Sequence, residues 1–142
     1  MANTGPLEDR LLIRELYGLY GDASCRGDRE AWTACFTQDG EWNSHMFACA
    51  GAAARHAQWD GLWADWDEVA FWGEIGWIRV DGDRAVARSY AREIVKLRAG
   101  GLFKLFGSYD DELVREDGHW LFARRTYAPM ILEAPGEQIS PS

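Results

Sequence analysis

His45, His56 and His119 are the only imidazoles in this 142-residue chain, and imidazole is the side chain that exchanges a proton in the neutral range. His45 and His56 stand among the tryptophans of the middle third, where either could serve as an acid/base group; a surface position is the alternative. His119 adjoins the Asp117-Gly118 turn and is expected to be exposed. Proton abstraction leaves negative charge that needs support, and Tyr109, Asp111 and Arg125 could supply it. Tyr109 and Asp111 are two apart on one strand and so share a face, while Arg125 falls on the strand that follows. If the three converge, Arg125 could hold an oxyanion while Tyr109 donates a proton; the alternative is a structural Asp111–Arg125 pair linking neighbouring strands. Arg92, Glu93 and Lys96 read as a solvated or dimer-facing polar set.

Eight tryptophans, six of them between Trp42 and Trp77, are either core packing or the wall of an aromatic pocket. Trp42 and Trp59 are the candidates for stacking on a ring. Cys25, Cys35 and Cys49 are odd in number and form no C-x-x-C pair, which argues against a disulfide framework or a thiolate metal site. The three histidines, at unrelated spacings, give no metal triad either. No metal and no cofactor is expected.

The elements that must position these groups follow from periodicity. Leu12, Leu16, Tyr20 and Ala23 recur at helical spacing over 7–23. Gly27 ends that helix, and Asp28 caps a second whose apolar face is Ala31, Trp32, Cys35 and Phe36. A short strand covers 41–44. After Gly51 a third helix carries Ala54, Trp59, Leu62, Trp63 and Trp66. Asp81-Gly82, Gly100-Gly101 and Asp117-Gly118 then punctuate four long strands, about 71–80, 84–98, 102–115 and 120–130, joined as hairpins. Helices first and a meander afterwards predict an α+β fold, a cone of three N-terminal helices on a curved antiparallel sheet. The chain reads as one domain over 1–142, with 133–142 a mobile tail.

Three stretches carry a family resemblance: Asp9-Arg10-Leu11-Leu12-Ile13-Arg14-Glu15-Leu16-Tyr17; Tyr20-Gly21-Asp22 through Gly27-Asp28; and Gly107-Ser108-Tyr109 through Arg124-Arg125. On them the chain resembles the SnoaL-like branch of the nuclear transport factor 2-like superfamily. The resemblance implies a mostly apolar pocket in the mouth of the cone, used in that branch by cofactor-free dehydratases, dehydrochlorinases, isomerases and cyclases. In its scytalone dehydratase and hexachlorocyclohexane dehydrochlorinase members an aspartate ending the first helix works with a histidine on the next long strand. Here those positions read as Cys25 and Trp72, and neither a thiol nor an indole reproduces that dyad. The resemblance further places Tyr20, Cys25, Trp42 and Trp72 at the pocket, and puts an arginine, here Arg125, on the last strand.

A net charge of −8 with dispersed Lys and Arg disfavours nucleic acid, and no stretch approaches the roughly 20 apolar residues of a membrane span. Without a basic, apolar leader, the expected location is the cytoplasm. The even apolar patterning of the long strands suggests a homodimer. Two functions are compatible with all this. One is a cofactor-independent lyase or isomerase acting on an apolar, aromatic small molecule. The other is a catalytically silent binder or oligomeric accessory protein, as the small subunits of ring-hydroxylating dioxygenases are on this fold.

Overall fold

The computed structural model describes residues 2–136. Helix α1 (Leu7–Arg26) turns Ile13, Leu16, Tyr20 and Ala23 inward, the spacing of a single buried stripe. It stops where Gly27 enters the left-handed region at φ 63°. The Gly27 N–H donates to Ser24 O and the Asp28 N–H to Ala23 O, satisfying carbonyls that the helix end would orphan. The Asp28 carboxylate then accepts from the Ala31 N–H at 3.0 Å, the cap expected for the second helix.

That helix, α2 (Arg29–Thr33), is only five residues long. Phe36, expected on its apolar face, instead opens strand β1 (Phe36–Asn43), because Phe36 is paired with Phe122 across the sheet. A short apolar run suits helix and strand alike, and here a distant partner decides. Strand β2 (Ala48–Ala50) and helix α3 (Ala52–Asp65) follow. Trp66, expected on α3, begins strand β3 (Trp66–Asp81), five residues before the expected start. Strands β4 (Arg84–Leu97), β5 (Leu102–Glu116) and β6 (His119–Glu133) complete the meander.

The sheet order is β2-β1-β6-β5-β4-β3. Every pairing is antiparallel except β1 with β6, which run parallel, so the sheet is mixed and not wholly antiparallel as expected. Register shifts interrupt β3–β4 and β5–β6, and such bulges bend strands. The curved sheet wraps α1, which packs on β3 and β6. Glu133, expected in the tail, still pairs with Lys104; of that tail, 137–142 lie outside the described residues.

The core is aromatic. Trp32 is fully buried between Trp59 and Trp42, with ring centroids 4.6 and 4.8 Å away, and Tyr20, Phe36 and Phe122 pack beside them. Each such burial contributes about 1.5–3 kcal/mol. On β4 the inward series is Ala85, Ala87, Ser89, Ala91 and Val95; its small side chains leave room for α1, and Glu93 falls in the same alternation. Arg92 and Lys96 point outward.

Candidate functional site

Two hollows flank the wall formed by Tyr20 and Tyr109. The first is an open groove of about 590 Å³ between α1 and β3, whose lining includes Arg14, Tyr17, Cys25, Phe71, Ser89 and Arg125. The second lies under the sheet's inner face. It consists of a cavity of about 110 Å³ and an adjoining one of about 40 Å³, which share Trp42, Leu62, Trp66, Glu93 and Tyr109 as walls.

At the foot of the groove, Arg125 is 1% exposed. Its Nε donates to Asp111 Oδ1 at 2.9 Å, and its Nη2 to Asp111 Oδ2 at 3.0 Å and to Ser89 Oγ at 3.3 Å. The Tyr17 hydroxyl also donates to Asp111. The guanidinium lies 3.8 Å from the ring centre of Tyr109 and 4.3 Å from that of Tyr20, close enough for cation–π attraction. Burial alone pulls this guanidinium's pKa down, but Asp111 and the surrounding tyrosines more than offset it and hold the group charged. Arg125 and Asp111 thus form the buried bidentate pair that was one of the two expectations, with only Nη1 left without a partner.

The inner cavity contains a different chemistry. Glu93 reaches it from β4 among indole, phenol and aliphatic side chains. Burial raises its carboxyl to about 7, with Arg125 pulling weakly the other way, and among the described residues no hydrogen bond or ion pair holds it. A carboxyl so placed can both accept and return a proton near neutrality. Burial also raises the Tyr109 phenol well above its ordinary range, and Tyr20 and Glu93 add to the shift. Burial, and then Glu93, raise Tyr127 as well. Both phenols are therefore neutral donors.

The expected site residues divide between these places. Tyr20 belongs to the groove and to the smaller cavity, Trp59 to the smaller cavity, and Trp42 to both cavities. His45 sits in the exposed 44–47 loop at the cavity rim. His56 lies on α3 and lines neither the groove nor the inner cavities, and its Nε2 is buried without a partner among the described residues. Trp72 is 77% exposed; it lines the groove with Tyr20, Cys25 and Arg125 and also a depression it shares with Tyr90 and Phe106, while strand alternation turns Phe71 inward. Cys25 Sγ sits 3.2 Å from Phe71 N and 3.4 Å from Phe71 O, a contact with the backbone of β3.

Sequence reasoning missed Glu93, Tyr127, Tyr17 and Ser89. For Glu93 the signal was available: Ser89, Ala91, Glu93 and Val95 fall at period two, which separates Glu93 from Arg92 and Lys96.

The model of the SnoaL-like domain family matches residues 5–126. Among solved structures, a protein from Novosphingobium aromaticivorans provisionally assigned as an aromatic ring hydroxylase superposes with a TM-score of 0.86 at 24% identity, covering 92% of this chain and 95% of that one. A second protein from that organism, provisionally assigned as a scytalone dehydratase, gives 0.83 at 22%, covering 96% of each chain. A type 2 hexachlorocyclohexane dehydrochlorinase gives 0.82 at 18%, covering 95% of each. No curated protein sequence matches the chain.

Proposed function

The chain belongs to the SnoaL-like domain family of the nuclear transport factor 2-like superfamily, and from that premise we propose a cofactor-independent lyase or isomerase, acting on an apolar aromatic small molecule, in which Glu93 moves the proton. One observation carries the reading: a carboxyl raised to about 7 stands on an aromatic cavity and has no ion pair among the described residues. The Glu93 carboxylate takes a proton from a saturated carbon of a partly reduced ring, and the C–H electron pair becomes the new double bond. In a lyase, the leaving group departs from the neighbouring carbon with its own electron pair and receives a proton from a tyrosine hydroxyl or back from Glu93. In an isomerase, Glu93 returns the proton to another carbon. Tyr109 and Tyr127 face the growing charge as neutral donors, and Arg125 supports it from behind the Tyr109 ring.

The names of the structural neighbours, one a dehydrochlorinase and one provisionally a dehydratase, agree with elimination chemistry. Three free thiols agree with the cytoplasm as location. No helix among the described residues is long and apolar enough to cross a membrane.

The test is turnover of a library of hydroxylated and halogenated aromatics and cyclohexenes. The rate is expected to rise with pH through about 7. Glu93→Gln is expected to lose roughly 10²–10⁴ in kcat, while His45→Gln stays within a few-fold. Equal turnover by Glu93→Gln would end the reading. The second reading, a silent binder, is favoured by Cys25 and Trp72 at the positions where the resemblance implies the family's acid and base. It becomes the better account if ligands bind and none turns over.

A further inference from the structure

Glu93 is the only carboxylate on the walls of the two adjoining inner hollows. It is half-buried and so stays reachable from the cavity. A carboxyl removed from bulk water without a partner either keeps its proton or finds a cation. The walls around it are aromatic: Trp42, Phe47, Trp66, Phe103 and Tyr109 line the larger hollow. Trp42 and Phe47 meet at an angle, with ring centroids 4.6 Å apart and planes 61° apart. Tilted rings bound a space from several sides, and the faces of indole, phenol and phenyl groups attract a cation. His45 and Met46, both exposed, stand at the rim, so a ligand enters without crossing the core.

The neighbouring charges leave that attraction standing. Arg125, from β6, lines the groove and not this cavity, and Asp111 meets its charge. Burial raises the phenols of Tyr20 from α1, Tyr109 from β5 and Tyr127 from β6, so all three are neutral. His45 is the remaining titratable group on the lining. A net charge of −8 favours cations over anions at the whole-molecule scale. A primary ammonium has three N–H donors to satisfy, more than one carboxylate among rings can serve. Methyl groups on the nitrogen remove that demand and pack on the aromatic walls.

We infer that this cavity binds a methylated ammonium group, held by the aromatic walls and paired with the Glu93 carboxylate. The inference shares Glu93 with the lyase or isomerase reading but needs no proton transfer from carbon. When the cation enters, the Glu93 carboxyl releases its proton to solvent and the carboxylate that remains meets the charge.

The experiment is calorimetric binding of choline, of 3,3-dimethylbutan-1-ol, its neutral isostere with carbon in place of nitrogen, and of ethanolamine, at pH 6 and pH 8. At pH 8 choline is expected to bind about tenfold or more tightly than the neutral alcohol, and ethanolamine more weakly than choline. Burial raises the Glu93 carboxyl to about 7, so choline affinity is expected to fall about tenfold from pH 8 to pH 6. Close to one proton should be released per choline bound at pH 6, read from titrations in buffers of different ionisation enthalpy; this measure needs no variant. Glu93→Gln is expected to erase the preference for choline over the alcohol. His45→Gln, which removes the other group at the cavity able to titrate in this range, is expected to keep both the pH dependence and the proton release. No choline binding, equal affinity for the neutral alcohol, tighter binding of ethanolamine, no proton release at pH 6, an unchanged preference in Glu93→Gln, or loss of the pH effects in His45→Gln would each overturn the inference. Because the readout is binding, failure of Glu93→Gln to lower turnover would remove the lyase reading and leave this result standing.

Discussion

A carboxyl that must ionise among indoles and phenols makes the folded state sensitive to pH. Glu93 titrates at about 7 in the fold against roughly 4.3 in an open chain, so the folded protein binds the extra proton. The stability this provides is complete below about pH 4 and is lost as pH rises to about 7; above that the ionised group is a fixed cost. Glu93→Gln removes the cost. Urea unfolding is therefore expected to find this variant more stable than the parent at pH 8, by up to roughly 3 kcal/mol, with the gap shrinking towards pH 5. A gap independent of pH would mean that Glu93 is solvated. Arg125 shows the contrary case. The sequence offered it as either an oxyanion holder or a structural partner, and strand pairing of Asp111 with Arg125 brings two complementary forks together where water is excluded. No residue spacing reveals that Tyr17, on α1, joins the same carboxylate.

Among the elements, α3 depends on a residue that periodicity did not mark. Arg55 is buried, and its Nη1 donates to Gly40 O at 2.7 Å and to Thr37 O at 3.2 Å while its Nη2 donates to Thr33 Oγ1 at 3.0 Å. Thr37 and Gly40 belong to the segment where the register of β1 shifts between Phe36 and Glu41, and Gly40 O also accepts from the Gly51 N–H at 3.1 Å. Arg55 ties α3, and with it the Trp59 wall, to that irregular strand. Arg55→Met is expected to remove the bonds to Thr37 O, Gly40 O and Thr33 Oγ1 and cost roughly 2–4 kcal/mol, read as a fall in Tm. Arg29→Met, which breaks an exposed ion pair with Asp60, is expected to change stability by less than about 1 kcal/mol.

For the whole molecule, the outer sheet face presents a row that runs Trp72, Arg92, Phe106 and Ile131 across four strands, with Tyr90 stacked on Phe106. Trp72 is 77% and Ile131 68% exposed. We propose that this face is what a homodimer covers, since aromatic patches of this kind usually meet a partner. Light scattering at micromolar concentration is expected to give a dimer for the parent and a monomer for Trp72→Glu. A monomeric parent would remove the proposal. In this reading Trp72 serves assembly and leaves the inward position to Phe71.

The sequence by itself determined the element order apart from the short β2, the three glycine-bearing hairpin turns and the α+β class, because each rests on local periodicity or on one residue's backbone freedom. The long strands also carried the inward face, and with it Tyr109, Asp111 and Arg125. Tertiary structure alone decided that Phe36 and Trp66 join strands, since a parallel pairing of β1 with β6 and an early start to β3 depend on partners far along the chain. It also decided which polar groups were neutralised. Arg125 found a carboxylate while Glu93 found no cation to pair with among the described residues, and that difference, which no single segment contains, moves the candidate chemistry from the histidines to Glu93.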